Sequence, residues 1–259
     1  MKRIVLAALL TSPVGAEPLP PGFVHLSRVA PQIAQDIRYA RDFNFIGAPV
    51  PGYDAAECIL TTNTAQALIR VEARLAEQGF GLVVYDCYRP KRAVAHFARW
   101  ATQSEPPDHR PPGVEPAGDT PPEAPTPAQV FYPDLTRNQL IPGGYIARRS
   151  GHSVGHTVDV SLRLKGTAVP LPDFPDAGRC DAPQHNRADE GLDMGTAYDC
   201  FSSLSADKAT VSREAQSNRK VLTRAMEAEG FRGYAKEWWH FRNTTDPSTK
   251  AHDFPVSAP

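Results

Sequence analysis

The chain has 259 residues, 41% hydrophobic and 22% charged, which allows a sizeable core and excludes a wholly disordered chain. Lys and Arg number 28 against 29 Asp and Glu, so a net charge of −1 gives no electrostatic reason to expect nucleic acid or an anionic membrane as partner. No apolar run approaches the roughly 20 residues of a transmembrane helix, and the length suits one domain with insertions.

The chain opens on Met1-Lys2-Arg3, continues through the apolar residues 4–10 and reaches a small-residue finish at Ala16. A basic end, a short apolar stretch and a small cleavage residue are the pattern of a secretory signal peptide over residues 1–16, and predict a periplasmic or secreted protein. Exported chains meet oxidising conditions, so Cys58, Cys87, Cys180 and Cys200 are read as two disulfides. Cys180 and Cys200 flank one segment and are paired here, which leaves Cys58 with Cys87. No CxxC spacing occurs, which argues against a four-cysteine zinc site.

Residues 22–55 read as irregular with extended stretches, and residues 36–40 as a short strand. Residues 62–78 form a predicted helix with Leu68, Val71 and Leu75 on one face and Gly79 as terminator. Residues 82–85 follow as a buried strand. Pro90 suits the first turn of a helix to about residue 103 that buries Val94, Phe97 and Ala101.

Residues 106–127 hold nine prolines, a density at which no regular element survives, so they are read as a surface insertion. Residues 158–162 alternate as a strand should. Residues 164–198 form a long loop clipped by the Cys180–Cys200 bond. Residues 213–229 are a helix with Leu222 and Met226 inward and Gly230 at its end, and residues 234–242 are the last strand. Helices and strands mix without regular βαβ spacing. This favours a single α+β domain over residues 17–259, with a central antiparallel sheet flanked by helices.

Chemically capable residues concentrate in three segments: Ser150 to Asp159, Glu237-Trp238-Trp239-His240, and Asp86-Cys87-Tyr88-Arg89-Pro90. A catalytic zinc takes about three protein ligands and keeps one position open. His152, Asp159 and His240 supply two imidazoles and a carboxylate, a set that leaves the site net positive. Glu237, three residues before a ligand, suits a base that does not bind the ion. Arg89 offers a permanent positive fork to a developing oxyanion. Glu237 and His240 would point to opposite faces of an ideal strand, so an irregularity is predicted at Trp238–Trp239. His156 competes with His152 as a ligand, but Gly155 argues against the helix that would align them, and His156 is read as a neighbour.

These segments resemble the D-alanyl-D-alanine dipeptidases, the VanX-like branch of the zinc DD-peptidases. The pattern Ser-x-His-x-x-Gly-x-x-x-Asp runs from Ser150 to Asp159, Glu-x-x-His from Glu237 to His240, and Asp-x-Tyr-Arg-Pro from Asp86 to Pro90. Residues 39–47 and 193–199 also look similar to family stretches. The resemblance implies the fold of the hedgehog and DD-peptidase group and one zinc ion per chain held by His152, Asp159 and His240. It implies Glu237 as catalytic base and proton donor, and Arg89 as transition-state stabiliser. It implies that Tyr39 and Asp199 hold the substrate ammonium while Ser150 helps fix the substrate backbone. The implied reaction is hydrolysis of D-Ala-D-Ala in cell-wall peptidoglycan metabolism. The alternatives are a zinc DD-carboxypeptidase trimming longer stem peptides, or a non-catalytic zinc-binding module. Gly151 and His156 stand where small polar residues are commoner in the family, and the Pro-rich insertion and the cysteines depart from its compact cytoplasmic members.

Overall fold

The computed structural model describes residues 18–104, 125–174, 177–182 and 192–259. The expected signal peptide lies outside the described residues, as does most of the Pro-rich insertion. In chain order the elements are β1 (Phe23–His25), α1 (Leu26–Val29), β2 (Ala34–Gln35), β3 (Ile59–Thr61), α2 (Thr62–Ala76), β4 (Phe80–Asp86) and α3 (Lys91–Trp100). After them come α4 (Pro127–Phe131), α5 (Arg137–Leu140), β5 (Thr157–Leu164), α6 (Arg213–Ala228), β6 (Phe231–Tyr234) and β7 (Glu237–Asn243).

The two long helices form for the local reasons expected. At α2 the Thr61 hydroxyl accepts from Thr64 N–H at 3.3 Å, and Leu68, Val71 and Leu75 are wholly buried. At α6 the Ser212 hydroxyl accepts from Ala215 N–H at 3.0 Å, and Leu222 and Met226 face inward. Gly230 follows α6 at φ +88°, a left-handed conformation that ends the helix and that a side chain would strain. The helices lie side by side, α2 against β4 and α6 against β6. Their apolar stripes close one continuous core with the central strands.

That sheet has five strands in the order β2-β4-β5-β7-β6. It is mixed where sequence predicted antiparallel: β2 pairs parallel to β4, while the other pairs are antiparallel. The connection from β2 to β4 contains β3 and α2, long enough to bring the chain back in the same direction. β1 and β3 form a separate antiparallel pair.

Other expectations need correcting. Residues 36–40 are not a strand, because the Asp36 carboxylate draws in Arg38 (2.6 Å) and Arg41 and turns the chain into a 3-10 helix over Arg38–Ala40. The last strand is a hairpin of β6 and β7, and Pro90 stands just before α3 as its cap. Pro127 does not belong to the insertion. It is the first residue of α4, which Thr126 and Gln129 close with a capping box. β5 alternates apolar and polar residues, yet Asp159 and Ser161 are as buried as Val158 and Val160. Its polar face therefore looks into the protein.

Candidate active site

Two irregularities in the sheet place the reactive residues. On β4, Tyr85 is an additional residue: Val84 pairs with Val160 but Asp86 pairs with Asp159. On β7, Gly233 pairs with Phe241 and Tyr234 with Glu237, so Trp238, Trp239 and His240 lack partners on β6. The disruption falls at the dipeptide where sequence required it, and it lets Glu237 and His240 face one point. Asp159 in turn stands directly opposite His240 across the β5–β7 ladder. Asp86, Asp159 and His240 thus share one rung of three neighbouring strands.

His152 reaches the same point from a 3-10 turn over Gly151–Val154. The Ser150 hydroxyl caps that turn, accepting from His152 N–H at 3.2 Å. Gly155 ends it at φ +88°, where any side chain would collide with the Phe23 ring. His152 Nδ1 lies 2.7 Å from the Cys87 carbonyl oxygen. A carbonyl only accepts, so Nδ1 is the donating nitrogen there, which leaves Nε2 as the nitrogen turned toward Asp159 and His240.

Three ligand atoms converge. His152 Nε2 is 3.3 Å from His240 Nδ1 and 3.3 Å from Asp159 Oδ1, and His240 Nδ1 is 3.0 Å from Asp159 Oδ1. Ligands at ~2.0–2.1 Å around a tetrahedral ion lie about 3.3 Å apart, so these atoms form one face of such a site. Asp159 Oδ1 is buried without a hydrogen-bond partner. An orphaned anionic oxygen between two imidazoles is a donor set that fits a cation. Among the described residues this trio is the cluster able to hold a metal ion. Burial pushes the Asp159 carboxyl up, but His152 and His240 more than reverse this and hold it well below the usual range. It is therefore ionised, as a ligand must be.

The flanking groups surround this triangle. Glu237 Oε2 is 3.6 Å from His240 Nδ1, close to the triangle and outside it. Burial pushes the Glu237 carboxyl up to about 7, a value suited to taking and returning a proton near neutral pH. Arg89 donates to Asp86 Oδ2 through Nε at 2.9 Å, has its terminal nitrogen 2.8 Å from the same oxygen, and comes within 3.7 Å of Asp159. Its guanidinium lies over the rings of Tyr39 and Phe97, at 5.0 and 5.1 Å. Burial works against its charge, yet Asp86 above all keeps it protonated.

Tyr39 donates to Asp199 Oδ2 at 2.7 Å. Burial first, and the nearby Asp159 charge second, push the Asp199 carboxyl well above the usual range. Tyr39, Ser150 and Asp199 line a cavity of about 270 Å³ together with Arg89, Glu237 and the three ligand candidates. All eight residues singled out from sequence therefore meet at one cavity. His156 does not join them; its Nδ1 is 3.1 Å from the Thr157 hydroxyl, in a separate cleft with Asp246 and Arg242.

The family model described as D-ala-D-ala dipeptidase matches residues 20–176 and 172–257. The chain belongs to this family. The D-alanyl-D-alanine dipeptidase of Streptomyces coelicolor is 34% identical over 237 residues, covering 91% of this chain and 98% of its own length. Those of Enterococcus faecium and Enterococcus faecalis are 31% and 32% identical, covering 91% and 87% of this chain and 98% and 93% of their own lengths.

In this member of the dipeptidase family, sequence reasoning passed over several residues at the site. Asp86 received no role, yet it is fully buried and accepts from Tyr53 at 2.5 Å as well as from Arg89. A carboxylate closing an apolar strand was the available signal. Tyr198 donates to Asp159 Oδ2 at 3.1 Å and stacks on Tyr85, which orients the carboxylate. Trp239 walls the cavity and packs edge-on against Tyr198, while Trp238 donates to the Thr196 hydroxyl at 2.9 Å. Nothing in the local sequence predicts those partners.

Proposed function

We propose that the chain is a zinc-dependent dipeptidase that hydrolyses D-Ala-D-Ala to two D-alanines. The observation that carries this reading is the triangle of His152, Asp159 and His240 with Glu237 and Arg89 beside it, in a chain of this family. His152, Asp159 and His240 would hold the zinc, which would supply Lewis acidity toward the scissile carbonyl and toward water.

The remaining chemistry belongs to side chains of the chain. Glu237 takes a proton from the attacking water as its oxygen bonds to the carbonyl carbon. Arg89 lies where it can meet negative charge growing on the carbonyl oxygen, held in place by Asp86. Glu237 then delivers its proton to the amide nitrogen as the C–N bond breaks, and the second D-alanine leaves as a free amine. Asp199 and Tyr39 receive the ammonium of the substrate. An arriving cation supplies the counter-charge that lets the Asp199 carboxyl ionise. A cavity of about 270 Å³ suits a dipeptide and falls below the ~300–1,000 Å³ of ordinary ligand pockets.

We further propose export through residues 1–16 and a role in turnover of peptidoglycan-derived dipeptide. The two disulfides support an oxidising compartment. The test compares D-Ala-D-Ala, L-Ala-L-Ala and N-acylated D-Ala-D-Ala as substrates for zinc-loaded and chelator-treated protein. Cleavage of the first alone, abolished by chelator and restored by zinc, is the expected result. Equal cleavage of the N-acylated compound would overturn the dipeptidase reading.

A further inference from the structure

We infer that the two disulfides brace the two halves of this site separately. Cys58–Cys87 positions the cation-binding half, and Cys180–Cys200 positions the half that receives the substrate ammonium. The second assignment rests on the functional reading above. The cysteines act through their neighbours and are positioning residues.

Cys87 sits between Asp86 and Arg89 in sequence, and its carbonyl sets the tautomer of His152. Arg89 N–H donates back to the His152 carbonyl at 3.2 Å. The segment 86–90 and the turn of His152 are therefore locked together by two hydrogen bonds. The segment is tied in turn to β3: Tyr88 N–H donates to the Ile59 carbonyl at 2.9 Å, and the residue before Ile59 is Cys58, bonded to Cys87 with Cα atoms 5.3 Å apart. Cys58 N–H is itself held by Gln35 Oε1 at 2.6 Å. Both sulfurs are buried, so the bond is an internal tie between β3 and the exit of β4. Removing it leaves hydrogen bonds alone to hold the carbonyl on which the His152 orientation depends.

The other bond works on a different residue. Asp199 is the one non-glycine residue with positive φ among the described residues, at +58°. Side-chain-bearing residues adopt that conformation rarely, so their surroundings must hold it. Cys200 follows it directly and is bonded to Cys180, with Cα atoms 5.4 Å apart. Cys180 takes Ala197 N–H on its carbonyl at 2.8 Å and donates to the Val130 carbonyl at 2.9 Å, and Phe201 N–H donates to the Phe131 carbonyl at 2.7 Å. Asp199 is thus strung between positions fastened to α4, with its carboxylate aimed at Tyr39.

The two ties predict different losses. Partners of metal ligands, when removed, typically cost about 10–100-fold in metal affinity or activity. The test uses the full chain in two double variants, Cys58→Ala/Cys87→Ala and Cys180→Ala/Cys200→Ala, each with a bulkier counterpart carrying Val at Cys58 or at Cys180. Zinc affinity is read by competition with a chromophoric chelator, and kcat and KM are read separately on D-Ala-D-Ala. The first pair is expected to lose on the order of tenfold in zinc affinity and in kcat. The second is expected to keep wild-type zinc affinity and raise KM on the order of tenfold.

Wild-type zinc affinity in the Cys58/Cys87 variants, or the same profile from both pairs, overturns the inference. So does unfolding of a pair together with its bulkier counterpart, since the bond would then hold the fold and not the site. Wild-type protein inactive on D-Ala-D-Ala would sink the functional reading and the second brace that rests on it, while the zinc measurement still reads the first brace independently.

Discussion

Asp159 on β5 stands directly across from His240 on β7, with Oδ1 and Nδ1 3.0 Å apart. Two ligand candidates 81 positions apart in the chain become neighbours on one rung of the sheet. Their approach is a property of strand register, and it holds only while β5 and β7 pair as they do.

Removing either side of that pair should weaken metal binding at the candidate site. Asp159→Asn retains shape but loses the anion between two imidazoles, and His240→Ala loses a ligand outright. Both should lower zinc affinity by at least tenfold to a hundredfold while far-UV circular dichroism stays that of the wild type. Competition with a chelator reads the result, and unchanged affinity in both would contradict the ligand assignment.

Glu237→Gln separates chemistry from binding. The amide keeps the volume but takes no proton from water, so kcat on D-Ala-D-Ala should fall about 10²–10⁴-fold. Zinc content should stay at one ion per chain, because Glu237 lies beside the triangle and not in it. Wild-type turnover by the zinc-loaded variant would remove Glu237 from the mechanism.

The same carboxyl gives the metal-free protein a pH signature. Burial raises it from 4.5 to about 7 in the folded state. Between those values the folded protein holds a proton that the unfolded chain has released. Stability therefore declines as pH climbs through that window and stays lower above it. Asp199, also raised, acts with the same sign. Above pH 7, metal-free Glu237→Gln should be more stable than wild type, by about 3 kcal/mol at most. Thermal melts of chelator-treated protein across pH 5 to about 8 test this; parallel curves for the two proteins would refute it.

Arg89→Lys tests the fork. Arg89 holds one oxygen of Asp86 with two nitrogens while extending toward Asp159, a geometry that a single ammonium cannot copy. Loss of about 10²-fold or more in kcat with little change in KM is expected. Activity within a factor of about two of wild type would show that charge alone suffices there.

Asp199→Asn addresses substrate choice. A charge-assisted bond to an ammonium contributes about 1.5–3 kcal/mol, so KM for D-Ala-D-Ala should rise on the order of tenfold to a hundredfold. An N-acylated dipeptide, which brings no ammonium, should gain relative to the free one. An unchanged preference for the free amine would place ammonium recognition elsewhere.

The sequence by itself named the candidate residues that the fold brings to one cavity, and it determined the long helices. Residue types with sharp chemistry (His, Asp, Glu, Arg) stood in spacings that suit a metal hydrolase, and α2 and α6 carry their own caps and apolar stripes. Even the break in β7 was legible, because Glu237 and His240 cannot share a face of a regular strand. Tertiary structure alone decided the roles of Asp86, Tyr198 and the Cys87 carbonyl, the parallel pairing of β2 and the hairpin that replaced one last strand. The reason is range. Spacing and periodicity report contacts a few residues apart, whereas Asp159 meets His240 and Tyr198, and Cys87 meets His152, only after β4, β5 and β7 have aligned and long loops have closed. Local preference says which groups are present; the register of the sheet says which of them touch.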